Sequence, residues 1–428
     1  MTENLLFGAI GDDLTGAMDL ASLMVASGIK VDVRVGVPDG APDPDAPVAV
    51  VALKSRVAPP EEATAQMLET TRWLAQRSPR QFFFKYCGTF DSTPAGNIGC
   101  CTDVLSDFTG ADHVFFIPAN PARHRSVYNG HLFFEGQLLS ESPRRFDPLT
   151  PMTESDLVKV LTPQTGVRVG LLPRHVVAEG KDAMRAHLQE MLRAGKRYII
   201  ADAICEEDMA SLADLTVDDR VMTGNNTIAG YYPALWRERG LISGDLSPAP
   251  LPPVAGPGAI LAGSCSPQTL RQLEVFRDGG GEVLFLDLLG PECASQIAEQ
   301  SLAWAEGRIG SRPLAIAMSA SPDQVSKVQA RFGRMESAAI VENVLGTVAV
   351  GLTQRGVSRL VVAGGETSGA VIGALGIRKL QAGAQINGNI PLAIGDIGKP
   401  IGLCLKSGKL GGVDVFNERL AAMEAGTF

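Results

Sequence analysis

Near the middle of the 428-residue chain lies SGDLSPAPLPPVAGPG, Ser243 to Gly258, with five prolines and few large apolar side chains. Proline has no amide hydrogen to give to a helix or a sheet, so such a run predicts an extended connector. A chain of this length exceeds what one core usually supports. Two domains are expected, 1–242 and 259–428, joined by 243–258.

On both sides of the connector, short apolar runs alternate with amphipathic stretches. LLFGAIG, VDVRVGV, VAVVAL, QFFFKY, HVFFIPA and RYIIADA read as strands before it, and GAILAGS, EVLFLDL, PLAIAMS and RLVVAGG after it. EEATAQMLETTRWLAQR, SPQTLRQLEVFRD and VENVLGTVAVGLTQRG read as helices. HLFFEGQLLSES suits a hairpin, and PLAIGDIGKPIGLCLKSG reads as sheet. The pattern predicts an α/β fold, each domain a largely parallel or mixed sheet flanked by helices. Ligands of such sheets bind beyond the carboxyl ends of the strands, so the polar residues after each strand are the candidates for function.

In the first domain, GAIGDDLTGA sets Asp12 and Asp13 where a strand gives way to a helix. One could cap the helix, and one could accept a substrate proton; the two roles can coexist. FKYCGTFDSTPAGNIG carries Lys85, Asp91, Ser92, Thr93 and Asn97, a mixture of donors and acceptors suited to a polyol or sugar acid, although turn chemistry alone explains part of it. Cys87 in the same stretch has no neighbouring His and reads as a packing residue. PANPARHRSVYNGHL adds Asn120 and Arg123, the latter suited to a carboxylate or phosphate.

The second domain holds three small-residue loops. LVVAGGETSGA runs from a strand through Gly364, Gly365, Glu366 and Thr367 into a helix; LAGSCSPQT carries Ser264 and Ser266; CLKSGKLGG carries Lys406 and Gly408. Glycines let backbone amides approach phosphate, and a helix N-terminus favours negative charge. The Gly-Lys-Ser/Thr ending of a Walker A loop and the Gly-x-Gly-x-x-Gly of a dinucleotide fold are both missing. Convergence of the three loops on a nucleotide phosphate chain accounts for them together.

A net charge of -9 argues against general affinity for nucleic acid or anionic membrane. The N-terminus shows no secretory pattern, and no uninterrupted apolar run approaches the roughly 20 residues that span a bilayer. Seven scattered cysteines without zinc-ligand spacing suit reduced thiols in a cytoplasm, and no metal site is expected.

GDDLTGAMDLA, KYCGTFDSTPAGNIG, VYNGHLFFEGQLLSESPRRFDPLTPMTESDL, AGGETSGAV and LKSGKLGG together resemble the four-carbon acid sugar kinase family, over nearly the whole chain. KYCGTFDST with DPLTPMT is similar to its 3-oxo-tetronate branch, although Asp147 stands where a His is expected. The resemblance implies an acid-sugar-binding domain, a nucleotide-binding domain and an active site in the cleft between them. It also implies transfer of the ATP γ-phosphoryl group to the terminal hydroxyl of a four-carbon acid, with Mg²⁺ carried by the nucleotide.

On that basis Asp13 or Asp12 is the expected base. Lys85 and Arg123 are expected to hold the carboxylate, and Asp91, Ser92, Thr93, Asn97 and Asn120 the other oxygens. Ser264, Ser266, Gly364, Gly365, Glu366, Thr367, Lys406 and Gly408 are expected around ATP. Threonate, erythronate or 3-oxo-isoapionate as substrate, or a non-catalytic sugar-acid sensor, remain as alternatives. A homodimer is expected from the prevalence of two-fold assemblies.

Overall fold

The structure, a computed structural model, describes residues 4–147, 150–244, 247–290, 292–310, 312–385 and 390–426. Pro148 and Leu149 of DPLTPMT, and Asp245 and Leu246 of the proline-rich segment, lie outside them. The chain divides into two compact units, one ending at Ser247 and one beginning at Pro248.

The first unit contains β1 (Phe7–Gly11), β2 (Val31–Val35), β3 (Val48–Ala52), β4 (Gln81–Lys85), β5 (Val114–Ile117), β6 (Arg125–Tyr128), β7 (His131–Phe134), β8 (Gln137–Leu138), β9 (Arg168–Leu172), β10 (Lys196–Ala201) and β11 (Val221–Gly224). Its main sheet runs β2-β3-β1-β4-β11-β5-β10-β9. All these neighbours pair in parallel. Parallel strands buried on both faces read as continuous apolar runs, which is why Phe82, Phe83 and Phe84 stand in a row. Each such ring contributes roughly 1.5–3 kcal/mol by leaving water. Phe83 meets Phe7, which packs on Tyr232 and Trp236 from a helix near the end of the unit. β6, β7 and β8 form the small antiparallel sheet that includes the expected hairpin.

The second unit contains β12 (Gly258–Ala262), β13 (Glu282–Phe285), β14 (Leu314–Ala317), β15 (Arg359–Ala363), β16 (Lys379–Ala382), β17 (Leu392–Asp396) and β18 (Pro400–Lys406), in the order β13-β14-β12-β15-β18-β17-β16. It is parallel from β13 to β18 and antiparallel through β17 and β16.

From Pro248 onward the proline-rich segment is part of this unit rather than a free tether. Leu251 joins the core beside Ile260, Phe416 and Met423, and the Val254 amide donates to the Met423 carbonyl at 2.9 Å. The helix Arg334–Gln354 is long and apolar enough to cross a membrane by length and composition, contrary to the expectation from uninterrupted runs. Charges at Arg334, Glu336 and Glu342 break the run without lowering the mean hydropathy below that mark. Within the unit it packs on the helices Ala294–Ala305 and Gly365–Ala374, burying Val344, Leu345, Val348 and Leu352.

Candidate functional site

Register assembles the first cluster. Gly11 on β1 pairs with Ala52 on β3 and Lys85 on β4, and Lys85 pairs with Gly224 on β11. The residues that follow therefore emerge side by side on one carboxyl edge. β1 is also where the strand order reverses, with β3 on one side and β4 on the other, the place where open α/β sheets leave a crevice. The Asp12 amide donates to the Lys85 carbonyl at 3.0 Å, and the Ser55 amide to the Asp12 carbonyl at 3.1 Å.

Arg56 reaches across this edge. Its Nε and Nη2 donate to the two Asp12 oxygens at 2.8 Å each, and Nη2 lies 2.9 Å from Asp13 Oδ1. Lys85 Nζ lies 3.4 Å from the same Asp13 oxygen. Asp13 also caps the helix Leu14–Ala26, accepting from the Gly16 amide at 3.1 Å and the Thr15 hydroxyl at 2.7 Å. The two adjacent carboxylates differ in exposure, 6% for the Asp12 side chain and 21% for Asp13.

Burial pushes the Asp12 carboxyl above its ordinary value, against the pull of Arg56. Burial also works against Asp13, but Arg56, Lys85, Thr15 and the Gly16 amide outweigh it and hold Asp13 well below the usual carboxylate range. Lys85 loses basicity to burial and regains more from Asp13 and Asp12. Asp19, on the same helix, is raised to about 6 by burial, with Lys85 and Arg123 opposing.

The turn after β4 builds the neighbouring wall. Asp91 is buried and accepts from Arg144 Nη2 at 3.0 Å and from the Thr89 hydroxyl; burial opposes its charge, and Arg144 and Arg56 lower its pKa on balance. Arg144 also donates to Asp147 at 3.0 Å, so the acid at that position orients a guanidinium. Asn97 donates to the carbonyls of Ser55 and Ala58 at 2.6 and 2.8 Å, fixing the segment that carries Arg56. Ser92 Oγ, Ser55 Oγ and Asn97 Oδ1 are buried without a partner among the described residues. Buried oxygens left unsatisfied are unusual, and hydroxyl groups of a ligand would satisfy them. Cys87 is pushed upward, by burial first and then by Asp91, which keeps it a thiol as its packing role requires.

The remaining candidates are less directly placed. Thr93 offers its carbonyl to Gln164 Nε2 at 2.9 Å. Asn120 Oδ1 accepts from the Arg123 amide at 3.2 Å, closing a tight turn, and Arg123 itself is exposed. Arg56 and Arg144 did not stand out in the sequence. Arg56 follows the apolar run VAVVAL and so obeys the rule that polar residues after strands matter; Arg144 comes from a loop whose destination no local pattern gives.

In the second unit the three small-residue loops converge, because β12, β15 and β18 are parallel neighbours. The Ser264 amide donates to the Ala363 carbonyl at 3.1 Å, and the Gly364 amide to the Lys406 carbonyl at 2.9 Å. Ser266 caps the helix Pro267–Asp278 and donates to the Gly408 carbonyl at 2.7 Å. A Cβ on Gly408 would overlap Ser264 Oγ and stand 3.1 Å from Ser266 Oγ, so this loop closes only with glycine. Gly365 opens the helix Gly365–Ala374, with Glu366 and Thr367 in its first turn. Lys406 is fully buried, with Nζ 3.3 Å from both Thr269 Oγ1 and the Gly408 carbonyl. It therefore supports the loop from beneath instead of reaching outward.

The first sheet gathers Asp12, Asp13, Arg56 and Lys85 at its carboxyl edge, and the second brings three glycine- and serine-rich turns together. The family model for a sugar-binding N-terminal domain matches residues 7–231, and that for a nucleotide-binding C-terminal domain matches 259–416. The chain belongs to the four-carbon acid sugar kinase family, which combines these two domains. The 3-oxo-tetronate kinase of Pseudomonas fluorescens Pf-5 is 41% identical over 423 residues, 98% of each chain. The 3-oxo-tetronate kinase of Cupriavidus necator H16 is 42% identical over 418 residues, 97% of this chain and 96% of its own. Among solved structures, a Salmonella typhimurium LT2 protein with the provisional label of a tRNA synthase gives a TM-score of 0.83 at 33% identity, covering 97% of this chain and 98% of its own.

Proposed function

We infer that this chain is an ATP-dependent kinase that phosphorylates the terminal 4-hydroxyl of 3-oxo-tetronate, yielding the 4-phosphate in sugar-acid catabolism. The observation that carries the reading is the cluster after β1: a partly exposed Asp13 side chain held by Arg56 and Lys85, with buried, unsatisfied oxygens on Ser55, Ser92 and Asn97. The names of the relatives above support the choice of substrate.

Phosphoryl transfer depends on positioning and charge neutralisation more than on a strong base. Asp13 stays ionised, orients the attacking hydroxyl and receives its proton late, as the hydroxyl oxygen bonds to the γ-phosphorus and the bridging oxygen leaves with ADP; its lowered pKa makes orientation a larger part of its role than basicity. Asp12, chelated by Arg56, fixes the guanidinium. Ser92, Ser55 and Asn97 meet the substrate oxygens. In the second unit, backbone amides around Gly364, Gly365, Thr367 and Gly408, with Ser264 and Ser266, cradle the ATP phosphates, and Lys406 and Glu366 shape the loops. Mg²⁺ carried with the nucleotide would neutralise phosphate charge during transfer. We also propose a cytoplasmic location and a two-fold homodimer.

A coupled ADP-release assay across four- and five-carbon sugar acids tests the reading. Turnover is expected with 3-oxo-tetronate, and Asp13→Asn should lower kcat by about 100-fold or more with little change in KM. Turnover confined to threonate or erythronate would move the substrate, and no turnover with any acid would refute the kinase.

A further inference from the structure

The cations at the carboxyl edge of the first sheet are nearly all committed. Arg56 is spent on Asp12 and Asp13, Lys85 on Asp13, and Arg144 on Asp91 and Asp147. Arg125, at the start of β6, is different. Its side chain makes no hydrogen bond or ion pair with the described residues, and its Nε is buried and unpartnered. The guanidinium lies over the buried ring of Phe134, its central carbon 5.5 Å from the ring centroid. Paired backbone hydrogen bonds with Asn120, 2.8 and 3.0 Å long, hold the Arg125 main chain. Stacking and backbone pairing thus fix a charged donor whose acceptor the described protein does not supply.

Glycine at position 88 keeps a side chain from crowding Arg125: a Cβ there would stand 3.5 Å from Arg125 Nη1, 3.4 Å from the Pro118 carbonyl oxygen and 3.0 Å from Asn225 Nδ2. Asn225 is itself anchored to the carbonyls of Pro118 and Ala119. Gly88 lies in the turn that also carries Cys87, Thr89 and Asp91, next to the acid–base cluster of Asp13. Of the other charged groups that act on Arg125, Arg123 and Arg144 reinforce an anion, while Asp91 is already neutralised by Arg144. An unpaired buried charged donor costs on the order of 1–3 kcal/mol, a cost removed when a ligand brings the missing acceptor.

We propose that Arg125 is the specificity-determining residue that donates to the carboxylate of the sugar acid. The planar guanidinium suits a carboxylate through two parallel hydrogen bonds, which a point charge such as Lys cannot match. This assignment rests on the kinase reading above and moves carboxylate recognition away from Lys85 and the exposed Arg123.

The test uses the full-length protein and two acceptors: 3-oxo-tetronate, and erythrulose, the same skeleton with a hydroxymethyl group in place of the carboxylate. Arg125→Gln should raise KM for the acid roughly 30- to 100-fold while KM for ATP stays within about threefold. It should also shrink the preference for the acid over erythrulose by a similar factor. Arg125→Lys should recover part of that preference, and guards against a Gln variant that fails to fold. KM for the acid within about threefold of wild type in both variants would overturn the assignment, as would equal losses for acid and ketose. Wild-type protein that turns over no sugar acid would refute the kinase and this assignment together; wild-type turnover with an unaffected Arg125→Gln would remove the assignment alone.

Discussion

Asp12 and Asp13 are neighbours of one type in unlike circumstances. Asp12 is closed in by Arg56, whereas Asp13 caps a helix and keeps the more exposed side chain. Lys406 makes the parallel case in the second unit. Burial lowers its ammonium from 10.5 to about 8, with Cys404 opposing. Below pH 8 the charge beneath the Gly408 loop favours anionic phosphate; as pH rises through 8 that charge is lost. KM for ATP should therefore rise above pH 8 in wild type, and be higher and flat in Lys406→Met. Folding stability should move the other way: the unfolded lysine holds its proton up to 10.5, so between pH 8 and 10.5 the unfolded state binds more protons and this group's contribution to stability grows with pH. Parallel pH profiles of KM and of thermal melting check both signs, and an unchanged KM profile in Lys406→Met would remove Lys406 from the nucleotide site. Asp13, Lys85 and Gly408 were legible as candidates because each lies at or just beyond the end of a strand. Arg56 obeys the same rule, but its partners are set by strand register, and Arg144 comes from a long loop that no local pattern places.

At the scale of elements, the turns after β1 and β4 work as one device. Gly16, in the first turn of the helix after β1, leaves room for Lys85; a Cβ there would overlap Lys85 Nζ. Alanine favours a helix over glycine by about 1 kcal/mol, but the Cβ would also stand 2.5 Å from Asp13 Oδ1, the helix cap, and Lys85 is buried. Gly16→Ala should thus lower the melting temperature and cut kcat/KM for the acid by about tenfold or more, because Lys85 leaves Asp13. Steady-state kinetics alongside calorimetric melting separates the two effects, and full activity in a folded variant would show that the Lys85–Asp13 contact is dispensable. The apolar strands were legible from their runs. β11 was not: Val221–Gly224 is four residues with Thr223 and Gly224 at its end, too short to signal, yet it lies between β4 and β5 and sets where Asn225 emerges. β9 was hidden likewise, because Arg168 and Gly170 interrupt its apolar pattern.

Across the whole molecule, the sugar-binding and nucleotide-binding domains fall in separate units, and the sites proposed for their ligands lie at the carboxyl ends of the two sheets. The proline-rich run marked the division, but its place on the second core was not legible, since Leu251 and Val254 are isolated apolar residues among prolines. Division of labour predicts separable losses of binding. Gly408→Val closes the turn against Ser264, within the second unit. The decisive measurement is calorimetric titration of wild type and Gly408→Val with a non-hydrolysable ATP analogue and, separately, with 3-oxo-tetronate. The account predicts that the variant loses nucleotide binding and keeps wild-type affinity for the acid. A variant that keeps nucleotide binding, or loses acid binding with it while still folded, would contradict the account.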